Sequence, residues 1–183
     1  MVELPSPPAG ASRAPGRGKK VLVYKRITVP GNLQRACDQF NAAEFFECHE
    51  SIEEIWQQEQ GEVRDLYKGL IQVAAVFVHI SRANFVGADR LCSTALRYLD
   101  PYRNDGAMGF DVDRIWREAA DAHGRVRALG RSHIHEFDVA SRPYYAFDRA
   151  AIPAEALRWG AWGFDREGQP LELEIAVAED LAE

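Results

Sequence analysis

Between Leu70 and Ile80 the chain reads LIQVAAVFVHI, and only Gln72 and His79 interrupt the apolar residues. A helix of that composition is apolar nearly all round, so other elements must wrap it. The run is also well short of the roughly 18 apolar residues that a membrane-crossing helix needs. It predicts a central, fully packed helix over about 62–83, and the rest of the chain has to supply the layer around it. A chain of 183 residues, 46% of them hydrophobic, is long enough to do so; at roughly 150 residues a domain buries about 70% of its unfolded surface without disulfides or metal.

The flanking segments read as one-sided helices. Asn32 is placed to cap a first helix, about 33–43. A second, about 45–59, carries Phe45, Cys48, Ile52 and Trp56 at helical spacing and ends before Gly61. A fourth, about 86–99, aligns Leu91, Ala95 and Leu99 and stops before Pro101. Asp111 and Asp113 open a fifth, about 112–129, that ends at Gly130. The connections are short, so neighbours should run antiparallel. The expected fold class is all-α, an antiparallel bundle of about five helices with small β extensions at both ends.

The extensions frame three regions. Residues 1–20, with Pro5, Pro7, Pro8 and Pro15 among Gly10, Gly16 and Gly18, read as a disordered arm. Residues 21–130 form the helical domain with a leading strand, VLVYKRITV, that Pro30-Gly31 ends. Residues 131–183 form a C-terminal extension with a β-hairpin, Leu157–Phe164 and Leu171–Val177 joined across Asp165–Pro170. The hairpin is placed to pair with the leading strand.

Charge and cysteines narrow the setting. The net charge of −6 divides into +5 over residues 1–30 and −11 over the rest. An acidic body repels phosphate backbones, which argues against nucleic acid as a main partner. Cys37, Cys48 and Cys92 are odd in number and form no CxxC pair, as expected of reduced thiols. With no apolar signal core at the N-terminus, the expected location is the cytoplasm. The apolar helices are numerous for one small bundle, so a homodimer is expected.

The second helix carries the chemistry. Taking about 100° per residue from Phe45, Ile52, Trp56 and His49 fall within about 40° of zero and Glu53 near 80°. Glu50, Glu54 and Glu47 fall between about 140° and 200°, toward water. His49 and Glu53 are thus neighbours at i, i+4 on the packed side. Such a pair can ligate a divalent metal, serve as an acid–base pair in which Glu53 orients His49, or fix packing as a buried polar pair. In the third helix Gln72 and His79 share a stripe with Lys68, and antiparallel packing would bring them opposite the pair. The candidate metal ligands are His49, Glu53 and His79, with Gln72 and Trp56 behind them; His49 and Glu53 are also the catalytic candidates. Zinc or manganese suits an imidazole better than calcium does.

Other features carry less. His133-Ile134-His135-Glu136 reads as a surface loop with incidental histidines, and Trp116, Trp159 and Trp162 as packing. There is no GxGxxG, P-loop, GxSxG or HExxH; His49-Glu50 starts like the last of these, but position 53 is Glu.

The combination of FNAAEFFECHESIEEIW, KGLIQVAAVFVHISRANFVGA and ALRYLDPY over residues 40–102 resembles the small bacterial and archaeal family known as domain of unknown function 309. The hallmark of that family is H-x-x-x-E-x-x-[WY], here His49, Glu53 and Trp56, alongside the Gly69-Leu70-Ile71-Gln72 run and the Asn84…Gly87-Ala88 turn. The resemblance implies an all-helical fold and points to metal binding through the motif. It implies no particular reaction, and a non-catalytic interaction or scaffold domain stands beside an enzyme acting on a small polar substrate.

Overall fold

The computed structural model describes residues 20–29, 31–152, 155, 158, 159 and 171–180. Among them five α-helices follow one another: α1 (Asn32–Asn41), α2 (Phe45–Gln58), α3 (Arg64–Ser81), α4 (Phe85–Leu99) and α5 (Val112–His133). The fold is all-α. Strands β1 (Lys20–Val29) and β2 (Leu171–Asp180) pair in a two-stranded sheet. Residues 26–175 make up one compact unit, and the outer strand residues 20–25 and 176–180 belong to a second.

Each helix packs on the next, and α3 touches α2 and α4 most. Named contacts fix the antiparallel register. Asn32 meets Ser51 and Glu54 across α1–α2. Trp56 meets Arg64 and Lys68 across α2–α3, while His49 and His79 share a pocket at the other end. A Cβ on Gly69 would lie 2.7 Å from Leu99, so α3 and α4 approach closely there. Asp89 meets His123, and Trp116 Nε1–H donates to the Leu96 carbonyl, across α4–α5.

Local signals explain the helix ends. Asn84 Oδ1 accepts from the Gly87 N–H and Asp111 Oδ1 from the Arg114 N–H, so both cap their helices. Asn32 does not cap: Gly31 holds that position, and the Asn32 amide donates to Ser51 O and Glu54 Oε2 instead. Gly130 does not end α5 but kinks it, with φ 63° and ψ −172°, a region open to glycine.

In α3, Leu70, Ile71, Val73, Ala74, Val76, Phe77 and Ile80 are buried. The expectation of an all-round packed helix needs correction, because Arg64, Lys68, Gln72, Ala75 and His79 form one half-buried stripe at helical spacing. That stripe and the adjoining edge of α2 form a seam open to solvent.

The packing does not break at residue 130. Ile134, Phe137, Tyr145 and Ile152 are buried in the same core. Arg142 Nε–H donates to the Phe40 carbonyl at 3.2 Å, tying this segment to α1. The turn of the expected hairpin and residues 157 and 160–164 of its first arm lie outside the described residues; Arg158 and Trp159 instead close a helical turn, with Trp159 N–H donating to Glu155 O. The expected arm at 1–20, apart from Lys20 at the start of β1, and Trp162 also lie outside them.

Candidate functional site

Three ligand-type side chains meet on the open edge of α2. His49 Nδ1 lies 3.0 Å from Glu50 Oε1 and 3.8 Å from Glu53 Oε2. One atom from each of His49, Glu50 and Glu53 lies within 4.8 Å of the others, and among the described residues this is the one such group of three. The His49 side chain keeps 27% of its exposure and Glu53 35%, so the pair sits at the rim of the core and not inside it. The helix phase accounts for the offset. The buried residues of α2 are Phe45, Cys48, Ser51, Ile52 and Ile55, which centres the packed face about 75–95° away from Trp56 and His49.

Glu50 is the member that spacing alone assigned to water. It is exposed at 55%, yet its carboxylate reaches back along the helix to the imidazole. Adjacent helix positions do not face each other, so no i, i+1 rule would have found it.

His79 lines a pocket of about 160 Å³ with Phe46, His49, Ala75, Val78 and Arg82, but it is not one of the three clustered residues. Its Nδ1 lies 2.9 Å from Asn84 Nδ2. Since Asn84 Oδ1 is committed to the Gly87 N–H, the Asn84 amide nitrogen faces the ring, and His79 Nδ1 accepts. The neutral ring then carries its proton on Nε2. Gly87 makes room for this arrangement: a Cβ there would lie 2.5 Å from His79 Nδ1.

At the other end of the seam Arg64 stacks over the Trp56 indole at 3.8 Å and Lys68 lies 4.3 Å from the same ring centroid. Gln72 is on the half-buried α3 stripe between Lys68 and Ala75. Trp56 Nε1 and Gln72 Oε1 are buried and have no hydrogen-bond partner among the described residues, a condition that costs about 1–3 kcal/mol per group.

A second polar pair lies on the opposite side of α4. His123 Nε2–H donates to Asp89 Oδ1 at 2.7 Å, and Arg127 Nε–H to the same oxygen at 2.6 Å. The Arg127 hydrogen bond, then that of His123, holds the Asp89 carboxyl below the usual carboxylate range. Neither residue stands out by spacing, since the pairing joins two helices 34 positions apart. His133 and His135 are exposed and both approach Glu136 Oε1, at 3.0 and 3.8 Å, around a 3₁₀ turn that buries Ile134. Burial pushes the Cys37 and Cys92 thiols up to about 12 and raises Cys48 as well, which unsuits all three as nucleophiles.

Residues 33–91, which hold the entire seam, match the family described as Domain of unknown function (DUF309). Over 106 residues the chain is 32% identical to the Uncharacterized protein YpuF of Bacillus subtilis (strain 168), an alignment covering 56% of this chain and 55% of that protein. The chain thus spans about half the length of this curated relative. No solved structure matches it. The resemblance read from the motifs therefore stands.

Proposed function

We propose that the α2–α3 seam is a divalent-metal site acting on a small substrate by hydrolytic or acid–base chemistry, with His49, Glu50 and Glu53 as the metal-holding group. The observation that carries this reading is the approach of one imidazole nitrogen and two carboxylates to within 4.8 Å beside an open pocket. The donor set fits: an ion with bonds of about 2.0–2.2 Å spaces its ligand atoms roughly 3–4 Å apart, which brackets the two His49 distances. Three protein ligands leave a coordination position for water or substrate, and the ion would supply Lewis acidity and an activated water. Zinc or manganese suits this nitrogen–oxygen set. His79 stands beside the group as a further ligand if the ring turns away from Asn84, and as a hydrogen-bond donor if it does not.

The test is metal analysis of untagged protein after exposure to zinc and to manganese. Wild type should retain about one ion per chain, and Glu53→Gln and His49→Ala should retain none while their melting temperatures stay within a few degrees. Equal, near-zero metal in all three would defeat the reading. The half-exposed Phe46, Val86 and Tyr144 support a second reading, a non-catalytic interaction domain in which the His49–Glu53 pair is structural; a large loss of melting temperature in both variants without metal would favour it.

The setting belongs to the same proposal. No helix of the described residues is long and apolar enough to cross a membrane. A cytoplasmic location, a homodimer and a role for β1 and β2 as small β extensions of the helical domain are read from the sequence pattern. Light scattering at monomer mass would remove the homodimer.

A further inference from the structure

We propose that the pocket between His49, His79 and Arg82 is a subsite for a phosphoryl group, held by the Arg82 guanidinium and the Nε2–H of His79. This rests on the metal reading above and names the substrate class it would serve.

Three features of the pocket point to an anion with several acceptor oxygens. Arg82 lines it and makes no ion pair among the described residues; Glu47, which lines the adjoining hollow with it, is not within salt-bridge distance. His79 presents a donor and not an acceptor, because Asn84 occupies Nδ1 and is itself held in that orientation by the cap of α4. With Asn84 in place, the ring rests against the bare backbone of Gly87. The volume of about 160 Å³ admits one group of a ligand, being below the roughly 300–1,000 Å³ of whole small-molecule pockets.

Charge selects phosphoryl over carboxylate. A carboxylate held by an arginine fork still has free lone pairs for the His79 donor, but it carries only one negative charge. A phosphoryl group offers a third oxygen and carries about −1.5 to −2 charge at neutral pH. Glu50 and Glu53, on the His49 side, oppose that charge, so an ion held by His49, Glu50 and Glu53 should strengthen phosphate binding. Asn84 and Gly87 are then positioning residues for His79, which gives the Asn84…Gly87 turn of the sequence a role in binding.

The experiment titrates inorganic phosphate into the full chain, metal-free and with one equivalent of zinc, against acetate, while ¹⁵N spectra of the histidine rings report which nitrogen of His79 is protonated. We expect saturable phosphate binding, tightened by zinc, with acetate at least tenfold weaker. Arg82→Gln, an exposed substitution that leaves the core alone, and His79→Phe should each weaken phosphate at least tenfold. The His79 proton should sit on Nε2. A proton on Nδ1, phosphate binding indifferent to Arg82→Gln, or acetate binding as tightly as phosphate overturns the subsite. Zinc uptake without phosphate binding overturns it while leaving the metal reading intact. Arg82-dependent phosphate binding without zinc uptake supports the subsite and removes the metal.

Discussion

Asn84 and His79 are joined by a 2.9 Å hydrogen bond whose direction is set from outside the pair, by the Gly87 N–H that holds Asn84 Oδ1 at 3.0 Å. One side chain therefore starts α4 and chooses the tautomer of an imidazole on α3. Asn84→Ala should cost about 1 kcal/mol in urea unfolding, the usual worth of an N-cap, and free the His79 ring. Asn84→Asp keeps an acceptor for the cap but turns the donor toward His79 into an acceptor. Its stability should stay near wild type while the His79 proton moves to Nδ1 in ¹⁵N spectra. An unchanged tautomer would show that Asn84 does not control the ring.

Two glycines give opposite expectations for the same substitution. A methyl on Gly87 would lie 2.5–2.7 Å from three atoms of the His79 ring, so Gly87→Ala must displace the ring or part α3 from α4. Such overpacking costs about 1–3 kcal/mol. Gly124 is exposed in α5 with nothing within 4 Å of a Cβ, so Gly124→Ala should stabilise by up to about 1 kcal/mol through helix propensity. Urea midpoints that move the same way for both would contradict this account.

The helix boundaries were legible because caps and breakers act locally: Asp111, Pro101 and the turns near Gly61 and Asn84 mark ends to within a few residues. The phase of α2 was less legible. Reading Trp56 as core pulled the expected packed face toward His49, whereas Trp56 spends one face on Arg64 and Lys68, and Ser51 and Ile55 take the buried side. Spacing did bring His49 and Glu53 together. It could not find Glu50, whose reach depends on rotamer, or Asp89 and His123, whose meeting depends on how α4 lies on α5.

Tyr145 shows the same limit for the core, and it yields a prediction. The residue sits in weakly patterned chain, yet its ring stacks on Phe40 with centroids 3.8 Å apart and planes at 7°. Its hydroxyl donates to the Leu70 carbonyl at 2.9 Å, and the Asn41 side chain binds both its N–H and its carbonyl. Tyr145→Phe should cost about 1 kcal/mol, the net worth of one hydrogen bond. Tyr145→Ala should cost about 3–5 kcal/mol, as for other buried aromatics. A Tyr145→Ala loss below 1 kcal/mol would mean that the segment after α5 does not belong to the cooperative core.

Asp89 should make the fold acid-sensitive in a defined way. The Arg127 and His123 hydrogen bonds depress its pKa in the folded state relative to an unfolded value near 4. A depressed carboxylate stabilises the fold fully above the unfolded pKa and loses that contribution as pH falls through the folded pKa. Wild-type stability should therefore drop below about pH 4. Asp89→Asn weakens the bonds to both partners and leaves His123, 8% exposed, without its charged acceptor; it should cost about 1–3 kcal/mol at pH 7. The variant should then lose less than wild type on acidification, so that urea midpoints for the two proteins converge as pH falls below about 4. Curves that stay parallel over that range would show that the Asp89 contribution is not electrostatic, and that His123 and Arg127 hold α4 to α5 by packing alone.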